Sequence, residues 1–532
     1  MRWFGIFLIV VCGHAWGQAG QTERFDIQRF RIEGASLLTA DEIAQLVAPF
    51  TGEKREYGDI QRALETIEIA YRQRGYSAVQ VHAPEQELTG GIVRLEVTET
   101  VIAKVVLPDT LKYLDADNLR AALPALKEGT SPNTFDLSTQ IALNNENPAK
   151  QVEVLLGFGE KENTVDASLK VTENDPLKFT MSLDNTGNDS TGKRRIGVSI
   201  QHANLWNRDH VATLSYQTSP EKPAAVKIWS ASYRLPVYAL GGAFDFILAS
   251  STVNAGTTAT TAGDLSFAGS GTVTGFRYTH ALPREGDMTH KLIVGWDIKA
   301  NDNTCTLGTF GAAGCGSAAA DITTRPLTAT YSRMLAAGGQ ATELSVTLTH
   351  NLPGGKNGRD ADFQASRPSP TGGAGARDDY RSIKGSLNHM RLAGDWQLRM
   401  AASAQWTDIA LLSAEQFGMA GANGVRGFSE REVSRDTGIL ATVEATTPEL
   451  AGQVGLPGSF KLLAFFDTAT GRNHLLAGET HASGSLSAAG LGLRYSLAKD
   501  IAFKFDLARV LKPNGSRKEG EWLQHMNLML AF

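Results

Sequence analysis

The residue types that could do chemistry in this chain are mostly scattered. Eleven histidines occur, but none has the H-E-x-x-H spacing that sets two imidazoles on one helix face around a metal. Serines are abundant without a G-x-S-x-G elbow, and no Walker-type loop is present to cradle a nucleotide phosphate. No catalytic residue, cofactor or metal is therefore expected. Asp360, Asp362, Asp378 and Asp379 share one long segment and could gather round a divalent cation. Arg359 and Arg377 stand beside them and offset part of that charge, so a solvated loop is the plainer reading. Cys305 and Cys315 lie in a Gly/Ala/Thr-rich segment, where an oxidising compartment favours a local disulfide over a metal site.

One pair of charges stands apart. Gly424-Val425-Arg426-Gly427-Phe428 sets an arginine between two glycines at a turn tip, free to leave its own strand and reach back into the fold. Phe465-Phe466-Asp467 closes an apolar run that begins at Leu462. A carboxylate there is costly facing lipid and needs a partner facing a lumen. Either Arg426 pairs with Asp467, or Arg426 is a solvated turn residue and Asp467 a strand-end acceptor.

The elements that must position this pair are mainly strands. Charged residues make up 20% of the chain and glycines number 54, with a net charge of -5 that gives no basic face for nucleic acid. Arg2, the apolar run Trp3 to Cys12 and the small-x-small site Ala15-Trp16-Gly17 predict a cleaved signal peptide over residues 1–17. No later segment supplies the ~20 apolar residues of a membrane-spanning helix, so membrane insertion would have to use strands.

Residues 25–98 read as a β-α-α-β-β module: a strand from Phe25 to Ile32, a capping box at Thr39-Ala40-Asp41-Glu42, and a second helix that stops at Gly75. Strands then follow at Ser77 to His82 and Gly91 to Val97. Residues 101–173 repeat that order. From Leu177 to residue 532, segments of about ten residues alternate in polarity between turn signals, as transmembrane barrel strands do. About sixteen such segments can be placed, an even number as closure requires, with short turns on one side and long loops on the other. Phe503 and Leu507 alternate with Lys504 and Asp506, one side oil and the other water.

These residues together resemble the two-partner secretion transporters (TpsB; haemolysin secretion/activation, ShlB/FhaC/HecB-like) over the whole mature chain. Arg74-Gly75-Tyr76, Pro84-Glu85-Gln86 and Gly90-Gly91 resemble that family's first POTRA domain. Asn147-Pro148 resembles its second, and Asp184-Asn185-x-Gly187 with Thr191-Gly192 its entry to the barrel. Val425-Arg426-Gly427-Phe428 matches its VRG(Y/F) tip of loop six, here residues 407–436 between the eleventh and twelfth strands. Phe465 and Asp467 match its F-x-D-x-G strand motif, with Ala469 in place of the glycine, which weakens the expected packing of the loop on that strand.

The resemblance implies a mainly β fold: an outer-membrane barrel of about sixteen strands preceded by two periplasmic α+β POTRA domains. It implies that the POTRA domains bind an unfolded TpsA-type partner of haemolysin, adhesin or haem-acquisition type. The barrel would pass that partner to the surface, with outer-membrane lipid around it and no nucleic acid. An outer-membrane assembly insertase and a passive porin are the alternatives. Only Gln18 to Arg24 precede the first module, so a plug helix is not expected and loop six would close the pore.

Overall fold

The computed structural model describes residues 24–189, 191–252, 256–261, 263–267, 270–301, 321–367, 375–474 and 483–532. The expected signal segment and the pair Cys305 and Cys315 lie outside the described residues.

The first unit is a small α+β module. Arg29–Glu33 runs parallel to Ile92–Glu99, and Val79–His82 pairs antiparallel on that strand's other side. Helices Ala40–Val47 and Tyr57–Gln73 supply Ile43, Val47, Ile60, Leu64, Ile67 and Tyr71 to a core shared with Val81, Val93, Leu95 and Val97. The Thr39 hydroxyl caps the first helix, and the Glu42 side chain returns the favour as a capping box. The Arg74 guanidinium, with the Thr39 N–H and hydroxyl, holds the Glu42 carboxyl down to about 2. The predicted strand from Phe25 to Ile32 is in fact two. Phe25–Ile27 pairs with Gly52–Arg55, a strand the sequence did not announce because Gly-Glu-Lys-Arg has no apolar alternation.

In the second module helices Ala116–Ala122 and Thr134–Asn145 accompany a sheet ordered Val101–Val106, Thr164–Glu173, Lys150–Phe158. Leu119, Leu123, Leu137, Val152 and Leu169 form its core. The Lys150 ammonium, at the start of its strand, lies 2.6 Å from Asp209 in the turn after the second barrel strand, and both are buried. Tyr238 Oη donates to Asp209 at 2.7 Å, and Asn118 donates to its other oxygen at 3.1 Å. Asn147 donates to the Ala203 and Asp209 carbonyls.

Sixteen antiparallel strands, from Leu177–Asp184 to Trp522–Ala531, close into a barrel when the last pairs with the first. The eighth strand comes in two parts, Ile322–Thr324 and Pro326–Ala337, interrupted at Arg325. Alternation sets one face outward. Phe246 and Leu248 are exposed, while Asp245 and Ile247, which alternate with them, are buried. Closure is shortest at the seam, where pairing runs only from Thr180 to Asp184. There the Asn185 amide extends it, donating to the Gln524 carbonyl (2.9 Å) and accepting from the Met526 N–H (2.8 Å).

Candidate functional site

The loop between the eleventh strand (Trp396–Trp406) and the twelfth (Thr437–Thr446) folds into the lumen. Its limbs pair briefly, Phe417–Gly418 against Ser434–Arg435, and the Gly424 N–H donates to the Gly421 carbonyl to turn the tip. Met419, Val425, Phe428 and Val433 pack on Leu440, Ala469, Leu486, Ala488 and Val510 of the inner wall. The tip is thus an apolar wedge. Gly427 adopts φ +96, and a Cβ there would meet Ala488 and Ala508 at 3.4 and 3.5 Å. Glycine on the loop and alanines on the wall allow this approach. Ala469, in place of the family's glycine, is itself buried in this cluster, so the packing that the sequence reading doubted is present.

At the tip Arg426 is 4% exposed and Asp467, on the thirteenth strand (Ser459–Arg472), is fully buried. The guanidinium donates to both Asp467 oxygens, from Nε at 2.7 Å and Nη2 at 2.9 Å, and the Arg426 backbone N–H donates at 3.1 Å. The structure therefore brings Arg426 and Asp467 together, with Phe465 beneath the guanidinium at 3.4 Å from the ring centroid. The Gly427 N–H donates to His525 Nε2 at 3.2 Å.

Four further participants were not singled out from sequence. Arg426 Nη1 lies 2.8 Å from Glu444 and 3.5 Å from Asp506. Arg399 bonds Glu444 at 3.0 Å, and Arg494 holds both Asp506 oxygens at 2.7 and 3.0 Å. Three arginines and three carboxylates alternate, so no charge is left uncompensated in a site largely shielded from water. The register makes this possible. Glu444 pairs with Phe465, which pairs with Gly490, where a Cβ would collide with the Phe465 ring at 2.5 Å. A polar cavity of about 750 Å³ adjoins the tip, lined by residues including Asn388, Arg399, Lys504 and Asn527.

A second buried network holds the loop's outer limbs. Asp436 accepts from Arg367, the Leu411 N–H, Gln416 and the His474 N–H. Glu415 pairs with Lys299 at 3.1 Å. The acidic quartet is occupied locally: Asp362 caps the helix Asp360–Ser366, Asp360 accepts the Asp378 N–H, and Arg377 holds Asp379 with two bonds of 2.9 Å.

The profile of the haemolysin secretion/activation proteins ShlB/FhaC/HecB matches residues 164–495, and that of the ShlB-type POTRA domain matches residues 25–100. The chain belongs to that family. It is an outer-membrane β-barrel protein with POTRA modules on the periplasmic side. The chain is 25% identical over 435 residues to the outer membrane transporter CdiB of Escherichia coli, covering 78% of this chain and 67% of that one. Against CdiB of Dickeya dadantii it is 25% identical over 182 residues, 34% of this chain and 32% of that one. The heme/hemopexin transporter HuxB of Haemophilus influenzae is 23% identical over 179 residues, 32% of this chain and 30% of that one. The solved structure of CdiB from Escherichia coli superposes with a TM-score of 0.70 at 19% identity, over 97% of this chain and 92% of that one, and shares its fold.

Proposed function

We propose that this chain exports a partner protein across the outer membrane by two-partner secretion, with loop six as the movable element of the pore. The observation that carries the reading is the seating of Arg426. An arginine held by three carboxylates inside a closed barrel fixes a loop in the lumen, and nothing in a passive channel requires that investment. The periplasm offers no ATP, so the partner arrives unfolded and docks on the POTRA modules by adding a strand to a sheet edge. It then passes the lumen, and folding outside draws the equilibrium forward. A cytolysin, an adhesin or a haem-acquisition protein fits this route equally; the similarity to HuxB concerns fold and family.

The test is co-expression with a candidate secreted partner, followed by assay of the medium. Arg426→Ala and Asp467→Ala are expected to leave barrel assembly intact and to reduce secretion. Normal export by both variants removes the proposed role of the pair.

A further inference from the structure

Sheet edges with free backbone groups recruit other chains unless they are blunted or used. In the first module the edge Arg29–Glu33 carries Arg29, Arg31 and Glu33 within five residues, and the edge Val79–His82 is only four residues long. The Val81 N–H on that short edge is taken by Glu68 at 3.2 Å. Both edges are therefore blunted. In the second module the edge Val101–Val106 has exposed Lys104 at its middle.

The remaining edge, Lys150–Phe158, is different. Near its start Val152 exchanges both backbone bonds with the Asn145 side chain: its N–H donates to Oδ1 at 2.6 Å and its carbonyl accepts from Nδ2 at 3.1 Å. A side-chain amide there stands in for a neighbouring strand. Outward groups recur at every second residue of an antiparallel edge, so the next outward positions are Val154 and Leu156. Among the described residues neither has a partner on that side. Leu155 and Leu156 are 54% and 42% exposed, and no charge lies between Glu153 and Glu160.

We infer that the exported chain adds its first strand at the edge running from Val154 to Leu156, and that the first module's edges are closed to it. The occupant is an extended polypeptide segment with apolar residues at alternate positions, held by backbone bonds at Val154 and Leu156. Asn145 marks where the added strand must stop. Continuity with the barrel favours this edge. Its strand begins at Lys150, buried against Asp209 of a barrel turn, so a captured segment is anchored to the pore itself. The inference rests on the export reading and says which edge serves it.

The test uses the full chain in cells that also make a candidate secreted partner. A photo-crosslinking side chain at Leu155 is expected to trap that protein in transit, and one at Gln80 is not; the reverse pattern overturns the inference. Leu156→Pro removes one outward N–H from an edge that tolerates proline. It is expected to lower export by roughly twofold to tenfold, as loss of one backbone hydrogen bond would. Leu156→Ala keeps the N–H and is expected to export nearly as the unaltered chain does. Unchanged export by an assembled Leu156→Pro barrel also overturns the inference, and if that variant does not assemble, the crosslinks decide. Failure of the unaltered chain to export at all would strike the export reading instead.

Discussion

Arg426 does three things that a point charge cannot: it forks onto both Asp467 oxygens, reaches Glu444, and sits over the Phe465 ring. Lysine keeps the charge and loses the fork and the stacking. Arg426→Lys is therefore expected to behave nearly as Arg426→Ala does, in secretion and in the temperature at which the folded barrel band is lost on gels. Leaving Asp467 buried without its partner costs about 3–5 kcal/mol. Far from the pore, Glu42 gives a pH prediction. Its folded carboxyl titrates at about 2 against an ordinary 4.5. A depressed carboxylate contributes stability that is complete above the ordinary value and lost as pH falls through the folded one. Amide exchange in residues 29–99 of the full chain should therefore quicken as pH drops from about 4.5 toward 2 relative to a reference curve. Glu42→Gln should flatten that response. Asp467 stood out in the sequence because it interrupts an apolar run. Glu444, Asp506, Arg399 and Arg494 did not, because a polar residue at an inward strand position is the ordinary state of a barrel and only the register makes these four converge.

At the scale of elements, period was legible and pairing was not. Helices with caps and strands with two-residue alternation fell within a few residues of where the pattern put them. Gly52–Arg55 escaped because Gly-Glu-Lys-Arg carries no apolar alternation, and the break at Arg325 escaped because the polarity pattern placed one strand near 324 to 334 across it. The seam is another case. Asn185 entered the sequence reading only as part of a motif at the barrel entry, yet it replaces a pair of ladder bonds where the first and last strands run out. Asn185→Ala is expected to lower the thermal stability of the folded barrel, read as earlier loss of the compact band on heating. A substitution at Asn188, whose side chain accepts from Thr191 in its own turn, should shift it much less.

At the scale of the molecule, the strand that starts at Lys150 is tied to the barrel, because Lys150 and Asp209 are buried together with Asn118 and Tyr238 arranged around them. Lys150→Ala strands Asp209 in a water-poor site and is expected to destabilise that junction by about 3–5 kcal/mol. Pairing Lys150→Met with Asp209→Leu removes both charges and should recover much of that loss. Limited proteolysis between the second module and the barrel, in the membrane, separates the two outcomes.

Loop six is joined to the eleventh strand at one end and the twelfth at the other, and its wedge fits against alanines on the wall. A stopper hinged at both ends can step aside but never leave the bottle. Whatever travels through this bore must share the barrel with some thirty residues of resident chain, and an extended segment asks that chain to give up the least room.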